Sequence, residues 1–337
     1  NQIDPNSTTS FDYFFSVCDE LTRCAPLDYI LVLIQTIITS VQWYSTSFFP
    51  YLFDTWDFSR PSDKVLRYFT YIADFGCGDP NLFSTTIPSI IIILVSFLIF
   101  IWIFIVIIYF QWNKMFLRYS LTLTRFIFSN FIPIMLFPIS YNIGFSFNSM
   151  LIDSNSNTTN TFSCESGSCF DYFESFLNPK DKSFFIFSTL ISFIFYLCLL
   201  GIFYIDIIFR SSTPYLEDTV FTMWNGSPLF LLIAGNTISI MASRLILGFP
   251  EWARCFLLIV YFLFNCFILY QMLYFPLVKP LMNVIISTLV CGTLFSSLFQ
   301  LFPIPSPFRL FVPLALLFFI FPFFYFYYKR NTKCHYQ

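Results

Sequence analysis

Residues 87–110 read IPSIIIILVSFLIFIWIFIVIIYF, 24 residues without a single charged side chain. As an α-helix the run measures about 36 Å at ~1.5 Å per residue. It therefore exceeds the ~30 Å hydrocarbon core of a bilayer and can cross it with some tilt. Tyr109 and Trp112 follow at its end, then Lys114 and Arg118. Rings at headgroup depth with cations just beyond them are how a spanning helix stops. The run is apolar on every face, which a helix on the surface of a soluble protein is not.

The same pattern recurs along the chain. Spans are expected near 27–49, 87–110, 119–143, 182–209, 229–249, 252–275, 281–302 and 308–327. The fold class is an all-α, multi-pass transmembrane bundle of about eight spans with short interfacial helices. Of 337 residues, 57% are hydrophobic and 11% charged, against about 25% charged in soluble domains. The net charge of −2 provides no field that would draw nucleic acid. The lipid bilayer is the expected partner.

Outside the spans, residues 1–26 form an amphipathic N-terminal segment. Its apolar stripe Phe11, Phe14, Phe15, Cys18 and Leu21 is expected to lie in the membrane interface. Residues 64–71 fit a second short interfacial helix. Pro133 and Pro138 predict a kink in the third span. Residues 144–181 make a long outer loop, and 329–337 a cytoplasmic exit. Asn1, in place of Met, and the lack of a signal-peptide pattern suggest a piece of a longer protein.

Chemistry-bearing residues are sparse. His335 is the only histidine, so a histidine-based metal cluster or a Ser/His/Asp triad cannot be assembled. No catalytic set, cofactor site or metal site is read from the sequence. Ionisable residues inside spans are functional candidates by default: Arg125, Asp206 and Arg244. The alternative is that Arg125 snorkels to the inner interface and Arg244 to the outer headgroups near Glu251. Asp206 and Arg244 are expected at opposite ends of their spans, too far apart to pair. No paired acids mark a proton relay, and no two spans look like inverted copies, which disfavours a transporter with a charged midplane site.

The four-residue ladder Gly235, Ser239, Ser243 offers either a packing seam within the bundle or a homodimer face, and Gly292 with Ser296 offers another. Cys164 and Cys169 lie in CESGSC, a spacing that suits a small disulfide or two free thiols. Asn157 begins an Asn-Thr-Thr sequon in the same loop and is a glycosylation candidate.

Orientation rests on these features together. Counted to the nearest end, nine Lys/Arg fall on the side of the termini and eight on the other. The short basic turns, Lys114, Arg118, Lys329 and Arg330, favour cytoplasmic termini, in a membrane expected to be the plasma membrane.

The order of features resembles a protist family. The stretch LVLIQTIITSVQWYSTSFFP with Gln35, the Trp56-Asp57 segment, an interfacial stretch and a long Ile/Phe-rich span follow one another. This is similar to the N-terminal membrane region of large protist signalling proteins, the tiny-macrocysts-type PAS proteins and related membrane adenylate/guanylate cyclases. The resemblance implies a cytoplasmic signalling region after Lys329-Arg330, with cyclase activity residing there. No metal-binding aspartates of a cyclase can be mapped onto this chain. The functional expectation is a membrane-embedded sensor or anchoring module of a signalling protein. The alternative is a channel or transporter for an uncharged solute.

Glycosidase treatment of the expressed protein tests the orientation. A mass loss that disappears in Asn157→Gln and persists in Asn6→Gln is expected; the reverse pattern would invert the topology.

Overall fold

The computed structural model describes residues 10–24, 29–48, 50, 64–66, 68, 86–113, 118–154, 182–211, 227–246, 250–274 and 280–335. The elements are α1 (Ser10–Cys24), α2 (Tyr29–Thr46), α3 (Thr86–Asn113), α4 (Arg118–Phe126), α5 (Ile132–Ser154), α6 (Lys182–Ser211), α7 (Ser227–Leu245), α8 (Glu251–Tyr274), α9 (Pro280–Gln300) and α10 (Ser306–His335). A π-helical turn, Ile127–Phe131, joins α4 to α5 in one continuous span. Among the described residues, seven helices are long and apolar enough to cross a membrane. The expected first span is shorter. Its apolar helix covers Ile30–Thr46, and the 18 residues of α2 reach only about 27 Å.

Side chains are distributed as a membrane requires. Phe97, Phe104, Leu190, Ile194, Leu263, Phe318 and Phe319 point outward, where lipid would meet them. Thr36, Ser45, Ser140, Asn236, Asn265, Ser287 and Ser297 point inward. With no water in the hydrocarbon layer, polar groups must find partners inside the protein.

The bundle is assembled around α2. Helices α10, α9, α8, α7, α5, α6 and α3 pack on one another in that order, and α2 lies against α5, α7 and α9. The long apolar helix α3 sits beside α6 and α1. Helix α1 has a protein surface under its apolar stripe. It docks on α3, α4 and α6 and buries Val17, Cys18 and Leu21. Phe14 meets Phe128 with ring centroids 6.3 Å apart, and Phe15 meets Phe209 at 6.0 Å.

The third span changes helix type beside Pro133. Pro133 has no N–H, and its ring crowds the carbonyl four residues back. The helix widens just before it, and Ile132 N–H reaches the carbonyl of Ile127, an i to i+5 bond. Phe128, Ser129 and Asn130 are buried on this turn. The helix also continues past Ile143 to Ser154, into the segment expected to be loop. The remainder of that segment, with Asn157, Cys164 and Cys169, lies outside the described residues, as does the Trp56-Asp57 segment. Of the expected interfacial helix, Leu66 is buried in a cluster with Tyr44, Phe48, Phe137 and Tyr141.

Gly144 permits a close crossing that the sequence did not advertise. A Cβ there would strike the backbone carbonyl of Met241 on α7 and stand 3.0 Å from Arg244 Cβ. Backbone cannot swing aside as a side chain can. Gly201, in contrast, has nothing within 4 Å of its Cβ position. Gly144→Ala should therefore lower stability by about 1–3 kcal/mol. Gly201→Ala should leave it unchanged or raise it by up to about 1 kcal/mol through helix propensity. Thermal unfolding of the two variants in detergent micelles measures both; equal effects would contradict the α5–α7 crossing.

Candidate functional site

The hydrogen bonds of α2 show why it is central. Its hydroxyls are first satisfied locally: Thr36 donates to the Val32 carbonyl (2.8 Å), Thr39 to Gln35 (2.8 Å), Ser45 to Val41 (2.7 Å) and Thr46 to Gln42 (3.0 Å). This back-bonding lets a Ser/Thr-rich helix enter an apolar layer. The longer groups then reach out. Gln42 Nε2 donates to the Ile134 carbonyl of α5 (3.1 Å). Tyr261 of α8 donates to the Trp43 carbonyl (3.1 Å). Ser47 pairs with Ser296 of α9 (2.5 Å), and Tyr44 donates to the Leu310 carbonyl of α10 (2.9 Å). One helix is thus tied to four others.

The outer helices are stitched in the same manner. Tyr196 of α6 bonds Thr237 of α7 (2.8 Å), and the single hydrogen of the Tyr261 hydroxyl is shared between the Trp43 carbonyl and Asn236 Oδ1, the latter at 2.5 Å. Thr293 of α9 donates to Asn265 Oδ1 of α8 (3.3 Å). Ser287 of α9 pairs with the Tyr328 hydroxyl of α10 (2.8 Å), which also lies 3.4 Å from the Met272 carbonyl of α8. Each such bond in a membrane contributes about 1 kcal/mol.

The charged candidates occupy two places. Arg125 does not snorkel. Its Nη1 lies 3.1 Å from Asp206 Oδ1, and the two side chains are 2% and 3% exposed. Ser129 Oγ, one turn on from Arg125, donates to Asp206 Oδ2 at 3.3 Å. The widened turn before Pro133 carries Ser129, so the proline's local demand also helps build the carboxylate's partner set. Helix α1 closes this end, with the Cys18 thiol pushed up to about 12 by burial, then by the Asp206 charge, with Arg125 opposing. Beside it, Trp102 of α3 donates to Thr124 (3.0 Å), which passes a bond to the Ser120 carbonyl (2.7 Å).

Arg244 does not snorkel either. It is wholly buried, and its guanidinium carbon sits 4.1 Å from the centre of the Tyr141 ring. A desolvated cation–π contact of this kind contributes about 2 kcal/mol. Arg125 and Tyr141 are separated by about 24 Å along one span at ~1.5 Å per residue. Asp206 and Arg244 accordingly keep different partners.

Gly235, Gly292 and Ser296 face other helices of the same chain. A Cβ at Gly235 would enter the Phe264 ring of α8. At Gly292 it would lie 2.5 Å from Leu317 Cδ2 of α10. Ser296 binds Ser47, the Ser243 hydroxyl donates to the Ile240 carbonyl (2.8 Å), and Ser239 is half-buried. Sequence reasoning missed the ion pair because Arg125 and Asp206 are 81 positions apart. Their placement near the same end of two adjacent spans was the available signal. It missed the hub role of α2 because a Gln/Ser/Thr-rich helix reads simply as a weak span.

Among the described residues, no group of three or more His, Cys, Asp or Glu side chains is placed to hold a metal ion. What the arrangement can do is hold helices in register and keep a dipole buried at one end of the bundle. Breaking the pair should be costly. Arg125→Met leaves a buried carboxylate uncompensated and should destabilise the protein by about 3–5 kcal/mol. Arg125→Met with Asp206→Leu should recover most of that loss. Unfolding midpoints of the singles and the double decide it; additive losses would contradict the pairing. Comparisons with protein-family models, curated proteins and solved structures find no match for this chain.

Proposed function

We propose that this multi-pass helical protein is the membrane-embedded sensing and anchoring module of a larger signalling protein. Both termini would face the cytoplasm of the plasma membrane, with α10 as the output element. The observation that carries this proposal is the form of α10. It is helical for 30 residues, about 45 Å, from Ser306 through Lys329 and Arg330 to His335, with Pro313 and Pro322 inside it. Most of its surface is outward-facing; its long contact is with α9, Tyr328 reaches α8, and near its start Leu310 is held by Tyr44 of α2. Tyr328, beside the basic end, is the residue that joins it to Ser287 and Met272.

A shift of α9 against α2, through Ser296 and Ser47, would change the position of the basic end. The resemblance carried by Gln35, Trp56 and Asp57 points to the same arrangement. It suggests that the region served is a PAS-bearing or adenylate/guanylate cyclase region. The near absence of charge inside the bundle, beyond the neutralised Arg125–Asp206 pair and Arg244, suits a structural relay better than an ion pathway.

A second function, passage of an uncharged solute, is favoured by one feature: the buried hydroxyls and amides of α2, α5 and α9. Two measurements separate them. Sequencing the transcript past the codon for Gln337 is expected to show an in-frame signalling region, and a stop codon there would overturn the module. Purified protein in vesicles should pass neither glycerol nor urea faster than empty vesicles; rapid flux would move the assignment to a channel.

A further inference from the structure

Several buried amides of this bundle find protein partners. Gln42 reaches Ile134, Asn236 donates to Leu232 and accepts from Tyr261, and Asn265 donates to Tyr261 and accepts from Thr293. Two others differ. Asn130 is 2% exposed, and neither its Oδ1 nor its Nδ2 has a partner in the protein. Gln35 is 5% exposed, and its Oε1 has none. An amide left so in an apolar layer costs several kcal/mol by transfer.

Asn130 and Gln35 sit on elements that pack together. Helix α2 packs on the π turn that carries Asn130. The bond from Gln42 to Ile134 sets the register between the helices. Gln35 lies two turns before Gln42 on the same face of α2, and Asn130 lies one turn before Ile134. The π turn widens the backbone at this level, and such turns recur at functional sites. Thr39, between the two glutamines on that face, spends its hydroxyl on the Gln35 carbonyl.

We infer that Gln35 and Asn130 form a binding site for one small, uncharged molecule that both donates and accepts hydrogen bonds. Asn130 offers one acceptor and two donor hydrogens, and Gln35 adds an acceptor. The guest must therefore donate to two carbonyl oxygens and accept from one amide. Water has that capacity, and so do small polyols and urea-like amides. A charged guest is excluded by desolvation. The nearby Arg125 and Asp206 already neutralise each other, and neither amide can supply a counter-charge. A large guest is excluded by the burial of both side chains. The site stands whether the bundle serves as a signalling module or a solute path.

The sign of a stability change distinguishes an occupied site from two orphaned amides. With the site occupied, Asn130→Leu and Gln35→Leu each remove bonds to the guest. Each should lower the unfolding midpoint by about 2 °C or more. The double variant should fall no further than the worse single, since both lose the same guest. If Asn130→Leu yields no folded protein, Asn130→Ser, which keeps one hydrogen-bonding group, serves in its place and should fall less. Midpoints that rise in the singles, or losses that simply add in the double, would overturn the site. Repeating the melts in glycerol or urea identifies the guest. A gain in the wild type beyond that in the Asn130 variant assigns the added solute, and equal responses assign water.

Discussion

Hydrocarbon offers no hydrogen bonds, and α2 brings a dense set of polar groups into it. That conflict organises the bundle. The helix is too short and too polar to be a comfortable lipid-facing span, and its residues from Gln35 to Phe48 are almost all buried. Its hydroxyls close on its own carbonyls, and its longer groups bind α5, α8, α9 and α10. Other helices then surround it with polar faces inward and Phe, Ile and Leu outward. Packing alone would leave apolar helices free to slide, since lipid tails are as good a neighbour as another leucine. Directional bonds from one pillar remove that freedom.

Charge is handled by the same rule. Arg125 and Asp206 would each be prohibitive alone in a low-dielectric interior, yet together they are neutral and held by Ser129. A buried pair of this kind contributes less to stability than its closeness suggests, because both partners were desolvated to form it. What it does enforce is register: only one placement of α4 against α6 brings the guanidinium to the carboxylate. Pro133 contributes indirectly, through the widened turn on which Ser129 and Asn130 sit. At the other end Arg244 uses an aromatic face instead, and Gly144 allows α7 to come close enough to α5 for it.

Much of the framework was legible in the chain. Apolar runs of spanning length appear because bilayer thickness imposes a length on them, and their ends follow from Pro, Trp, Tyr and cations. The stripe of α1 was legible as amphipathic, but not the surface it would cover. The same apolar face suits a lipid interface or a neighbouring helix, and here Phe14 and Phe15 meet Phe128 and Phe209. The extension of α5 to Ser154 was missed because Gly144, Asn148 and several serines read as loop residues, whereas helix continuation there is set by context. Gly235 and Gly292 were visible as close-approach residues. Which helix would approach was not, and it proved to be α8 and α10 of the same chain.

The amino-acid sequence by itself determined that this is a helical membrane protein, roughly where each helix lies, and which few ionisable groups enter the bilayer. Those are local properties, set by hydrophobicity, length and the chemistry of helix ends. Tertiary structure alone decided that Arg125 meets Asp206, that Arg244 lies on Tyr141, that α2 is the hub, and that α2 packs on the π turn carrying Asn130. A helix exposes several faces at once, and nothing in its own residues says which neighbour each face will meet. That choice follows from satisfying every buried polar group of all the helices together, in a solvent that satisfies none.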